Sequence, residues 1–179
     1  MKIKTVISGS FRKHLNEIGV GLEAFRKAGI EVLAPVSKNT IEGRANFVFL
    51  STDDPKKSAY VLEKEFMSNI TKSDFLYVAN VRGYIGKSVA AEIGLALIHS
   101  IPIVAAEEIK EFSDEIPVFA HALLKRAIFA YLPVNSINAL SVSKLNLTNF
   151  VLIDLSPDHK IGLDWLINTL LEELKHVKI

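Results

Sequence analysis

Short apolar runs alternate with helical periodicity along this chain. Ile3 to Ser8 (IKTVIS) is β-branched and apolar and runs into a glycine, which predicts a buried strand. Leu15, Ile18, Leu22 and Phe25 then recur at helical spacing, and Gly29 supplies a stop. Glu31 to Ala34 predicts a second strand, ended by Pro35, and Ser37 to Arg44 a polar loop. Phe47 to Leu50 (FVFL) is strand-like and enters the turn Ser51 to Pro55. A helix is expected over Ser58 to Lys72, with the stripe Leu62, Phe66 and Ile70. Asp74 to Asn80 (DFLYVAN) is the clearest central strand; a loop from Val81 to Lys87 leads to a helix from Ser88 to about Ser100, and Ile101 to Ala105 is the next strand. Further on, Ile116 to Ile128 reads as helix, 129–148 is ambiguous, and Asn149 to Leu155 reads as strand. Leu163, Leu166, Ile167, Leu170, Leu171 and Leu174 mark an amphipathic C-terminal helix.

This βαβ alternation predicts an α/β fold. A mostly parallel, Rossmann-like (flavodoxin-like) sheet with helices on both faces makes three layers. The 179 residues contain no repeat or Pro/Gly-rich linker, so one domain over 1–179 is expected. A net charge of +1 argues against broad binding to nucleic acid polymers. Without cysteine, thiolate chemistry and disulfides are excluded. The five histidines show no metal-ligand spacing, and neither metal nor cofactor is expected. No apolar run is long enough for a signal core or a membrane span, so a cytoplasmic protein is expected.

Open parallel sheets bind ligands beyond the carboxyl ends of their strands. Three segments fall at such ends: Ser8-Gly9-Ser10-Phe11-Arg12, Asp53-Asp54, and Asn80 to Ser88. The first offers a close backbone approach at Gly9, two hydroxyls and a guanidinium, a set suited to an anion. The third resembles a phosphate-binding P-loop, but Val81 stands where that pattern needs glycine, which argues against a nucleoside triphosphatase. Its loop still offers Gly83, Gly86, Lys87 and Ser88 to a ligand, and Tyr84 to a base. Asn80 suits sugar hydroxyls or a cap of its own turn.

Glu92 is the only polar side chain between Val89 and Ile98. Ser88 and Ala96, one turn away on either side, leave room beside it. A carboxylate in an apolar helix is costly without a purpose or a partner. The alternative is a glutamate near a helix start, favoured by the dipole by about 0.3–1 kcal/mol.

The chain resembles the nucleoside 2-deoxyribosyltransferase-like superfamily, which includes deoxynucleoside 5′-monophosphate N-glycosidases. The resemblance rests on Ser8-Gly9-Ser10, Ser73-Asp74, Gly83 to Ser88, Glu92-Ile93-Gly94-Leu95-Ala96 and Ile101-Pro102-Ile103-Val104, and covers about residues 3–106. It implies that Glu92 is a nucleophile attacking the anomeric carbon, and that Ser8, Gly9, Ser10 and Arg12 hold a 5′-phosphate. It also implies a homodimer or higher homo-oligomer. Residues 113–155 lie outside it and are expected to supply an oligomer contact or cover the pocket. Where the family carries an acid or histidine eight residues before the strand's Asp, this chain has Phe66, with Glu65 adjacent. Glu65, Asp53 and Asp54 are therefore the candidates for a second acid. The expected activity is cleavage or transfer at the N-glycosidic bond of a nucleoside or nucleoside 5′-monophosphate. The alternatives are a non-catalytic nucleotide-sensing module and cleavage of the nicotinamide bond of NAD.

Overall fold

A computed structural model describes residues 2–41, 47–147 and 157–176 of the protein. In chain order the elements are β1 (Lys4–Ser8), α1 (Leu15–Lys27), β2 (Glu31–Ala34), β3 (Thr40–Ile41), β4 (Phe49–Leu50), α2 (Ala59–Ile70), β5 (Phe75–Val78), β6 (Tyr84–Ile85), α3 (Lys87–Ile98), β7 (Ile103–Ala105), β8 (Glu111–Phe112), α4 (Val118–Arg126), β9 (Ile128–Tyr131), α5 (Ala139–Ser143) and α6 (Pro157–His176). Five strands pair in parallel in the order β2-β1-β5-β7-β9. Counting these strands along the chain, the order is 2-1-3-4-5, so the connections reverse direction between β1 and β5. This is the Rossmann-like, flavodoxin-like α/β architecture that the alternating pattern predicts.

The central strands are buried on both faces, which is why they read as unbroken apolar runs. Thr5 to Ser8 pair with Phe75 to Val78 in register. Val6, Leu76 and Val78 point to one face and pack against α2, α3, α4 and α6. Ile7, Phe75 and Tyr77 point to the other and pack against α1 and residues 132–147. Tyr77 donates from its hydroxyl to the Leu132 carbonyl at 2.8 Å, and burial pushes its phenol well above the usual range.

α3 is apolar nearly all round because it is covered twice, by the sheet and by α6. The second contact depends on Gly94: a Cβ there would stand 2.7 Å from the Leu166 Cβ. None of the described helices is long and apolar enough to cross a membrane.

Several expectations change, and the loops read over Ser37–Arg44 and Val81–Lys87 contain the short strands β3 and β6. The strand read over Phe47–Leu50 is shorter, and β4 pairs antiparallel with β3 outside the main sheet. The helix read over Ile116–Ile128 spans only Val118–Arg126, with Pro117 at its start. Ile128 begins β9, the fifth strand of the sheet. The strand read over Asn149–Leu155 lies outside the described residues, as does part of the Ser37–Arg44 loop.

Candidate active site at the sheet switch point

Side chains alternate along a strand, so Ser8 shares the Val6 face of β1, the face that α3 covers. Glu92 lies in the second turn of α3, the helix after β5. The Ser8 hydroxyl donates to Glu92 Oε2, joining β1 to α3 across the point where the strand connections reverse. Both are buried, Ser8 completely and Glu92 to 7 % exposure. A carboxylate taken out of water needs such a donor.

Glu92 opens into a cavity of about 640 Å³, within the range of small-molecule sites. Gly9, Ser10, Phe11 and Arg12 line it from the loop after β1, and Leu33 to Val36 from the end of β2. Gly9 lets this loop run close: a Cβ there would meet Ile18 Cδ1 at 3.1 Å and the Ala79 carbonyl at 3.3 Å. Gly86, Lys87, Ser88 and Val89 also line the cavity, so the positive end of the α3 dipole faces it. Lys87 is 3.8 Å from Glu115, which lines the cavity with Ser113.

Further lining comes from the turn after β4 and from α2. Asp53 accepts from the Leu50 N–H at 2.7 Å, and Asp54 from the Lys56 N–H at 2.9 Å. Glu65, half exposed, receives Lys57 Nζ at 2.6 Å. Phe66 meets Phe11 edge-on, with centroids 6.5 Å apart. The candidate second acids Glu65, Asp53 and Asp54 thus all line the cavity, each already with a partner.

Tyr84 lines the cavity beneath Lys13, whose Nζ sits 3.7 Å from the ring centroid. The His14 ring stands edge-on to Tyr84 at 6.1 Å. Burial lowers the His14 pKa below its ordinary value; Glu17 opposes the shift, and Lys13 and Arg82 add to it.

Two expected binding residues lie outside the cavity lining and bind the frame. Asn80 binds the Glu107 backbone twice, Nδ2 donating to the carbonyl at 2.6 Å and Oδ1 accepting from the N–H at 3.0 Å. Gly83, at φ +75°, packs on the 108–110 backbone, where a Cβ would meet the Glu108 carbonyl and stand 2.8 Å from the Lys110 N. Together they fasten the loop before α3 to the loop after β7. Ser8, expected as a substrate contact, donates to Glu92. Ser73 and Asp74 sit at the amino end of β5, where Asp74 accepts from the Lys4 N–H at 2.7 Å.

Lys57 and Asn69 join the lining without having been singled out in the sequence, and Leu62, read there as part of the α2 stripe, joins them. Asn69 lies seven residues after Leu62 and three after Phe66, a helical spacing that was the available signal. From residues 113–147, only Ser113 and Glu115 reach the cavity among the described residues; α4, β9 and the segment after it build the sheet and core. No described group of three or more His, Cys, Asp or Glu residues could hold a metal ion. No family model, curated protein or solved structure matches the chain.

Proposed function

We propose that the protein cleaves or transfers across the N-glycosidic bond of a nucleoside or nucleoside 5′-monophosphate, with Glu92 as nucleophile. The observation that carries this reading is a buried carboxylate, held by the Ser8 hydroxyl, opening into a nucleoside-sized cavity at the switch point of the sheet. Such an anion stabilises an oxocarbenium-like transition state from beneath C1′. It then bonds to C1′ as the base departs, and water or a second base resolves the ester. Ser10, Arg12 and Ser88, beside the positive end of α3, supply the donors for a 5′-phosphate or sugar. The resemblance of the SGSFR and EIGLA segments to the deoxyribosyltransferase-like superfamily supports the same roles.

The test is to incubate the protein with nucleosides and their 5′-monophosphates and to follow free base by chromatography. Base release by the wild type, lost at least a thousandfold in Glu92→Gln, is expected. A sugar-sized mass increment on Glu92 in a rapid quench would identify the ester. Base release undiminished in Glu92→Gln overturns the mechanism. Tight binding with no release from any substrate makes the protein a nucleotide-sensing module instead.

A further inference from the structure

Breaking an N-glycosidic bond makes two demands: an anion beneath C1′, and somewhere for the electrons of the departing nitrogen to go. Under the reading just proposed, Glu92 meets the first. The rest of the lining bears on the second. α2 brings Leu62, Phe66 and Asn69 to the cavity, and Phe11 closes edge-on against Phe66. These groups offer apolar surface and an amide; none holds a proton that it could give up to a base nitrogen. Glu65, on the same helix, is half exposed with Lys57 Nζ at 2.6 Å. Asp53 and Asp54 are acceptors of backbone N–H bonds, and Glu63 also has a partner. Six carboxylates face three cations among the described lining residues, an arrangement that favours a positively charged ligand over a neutral one.

We propose that the substrate class of this site is a nucleoside whose base is already cationic, such as a pyridinium nucleoside or an N7-alkylated purine nucleoside. Such a base leaves without being protonated. One Glu92 oxygen bonds to C1′ as the C1′–N bond breaks. The bonding pair returns to the ring and cancels its positive charge, and the base departs neutral. Water then bonds to C1′, the ester pair returns to Glu92, and one proton passes to solvent. Charge and atoms balance with no further reactant. The aromatic wall of Phe11 and Phe66 suits a cationic ring as it binds.

The inference rests on the proposed glycosidic chemistry, and the test separates the two. The wild-type protein is given nicotinamide riboside, 7-methylguanosine and guanosine. The expected result is a kcat/KM for 7-methylguanosine at least a hundredfold above that for guanosine. The profile for nicotinamide riboside should rise with pH and then stay flat, because no acid has to remain protonated. Phe66→Glu, which places an acid on the wall, should shift the ratio tenfold or more towards guanosine. Guanosine cleaved as well as its methylated form, with a rate that falls at alkaline pH, would overturn the cationic class and leave Glu92 chemistry standing. Failure to release base from all three, and from the nucleotides tested above, removes both. If Phe66→Glu does not fold, the wild-type comparison decides alone.

Discussion

At the scale of single residues, the structure gives Ser8 a partner within the protein. Its position after an apolar strand suggested a ligand contact, but the pleat turns it towards α3, and its hydroxyl meets Glu92. A hydrogen bond to a charged group contributes about 1.5–3 kcal/mol, or roughly ten- to a hundredfold in a rate if it acts in the transition state. Ser8→Ala should therefore lower kcat for base release by about that factor with little change in KM. Unchanged kcat would mean that Ser8 only fills space. Glu92 itself was legible in the sequence, since a lone carboxylate in VAAEIGLALI conflicts with its surroundings. The dual use of Asn80 and Gly83 in fastening loops was not legible, because Glu107 and Lys110 lie about 27 residues away in the chain.

At the scale of elements, the main lesson is α3. Its uniform apolarity is explained by two packing partners, and Gly94 sets how closely the second approaches. Gly94→Ala adds a methyl where only 2.7 Å separates it from the Leu166 Cβ. Overpacking of this kind costs about 1–3 kcal/mol, while alanine regains up to about 1 kcal/mol of helix propensity. A net loss of stability is expected, read as a lower urea midpoint; a higher midpoint would contradict the close α3–α6 contact. The missed strand β9 has a simple cause. Ala120, Leu123, Leu124 and Ala127 form a helical stripe that Ile128 continues at the same spacing, and a single residue separates α4 from β9. Periodicity cannot see a chain change direction within one residue.

At the scale of the whole molecule, the fold gathers residues from the segments 9–12, 33–36, 47–69 and 84–92 around one cavity. Histidine titration offers a test of that packing. Burial holds the His14 pKa below its ordinary 6.5. Between the lowered value and 6.5 the unfolded chain binds more protons than the folded one, so stability rises with pH across that window. The contribution is complete above the unfolded value and is lost as pH falls through the folded one. Urea denaturation of wild type and His14→Gln at pH 7.5 and pH 5 should show a larger loss on acidification in the wild type. An equal loss in both would mean that His14 is solvated in the folded protein.

The sequence by itself determined the fold class, the parallel central strands and the choice of Glu92 as the candidate residue. Each of these is written in local periodicity or in a local conflict between a polar side chain and an apolar helix. The tertiary structure alone decided the strand order, the antiparallel pairing of the Phe49–Leu50 strand, the α6 cover on α3 and the partner of Glu92. It also decided that Phe66 and Asn69 line the same cavity as Glu92, and that Glu65, which lines it too, is half exposed and paired with Lys57. The physical reason is separation along the chain. Ser8 and Glu92 are 84 residues apart, and only the pairing of β1 with β5 and the packing of α3 on their shared face bring them into contact.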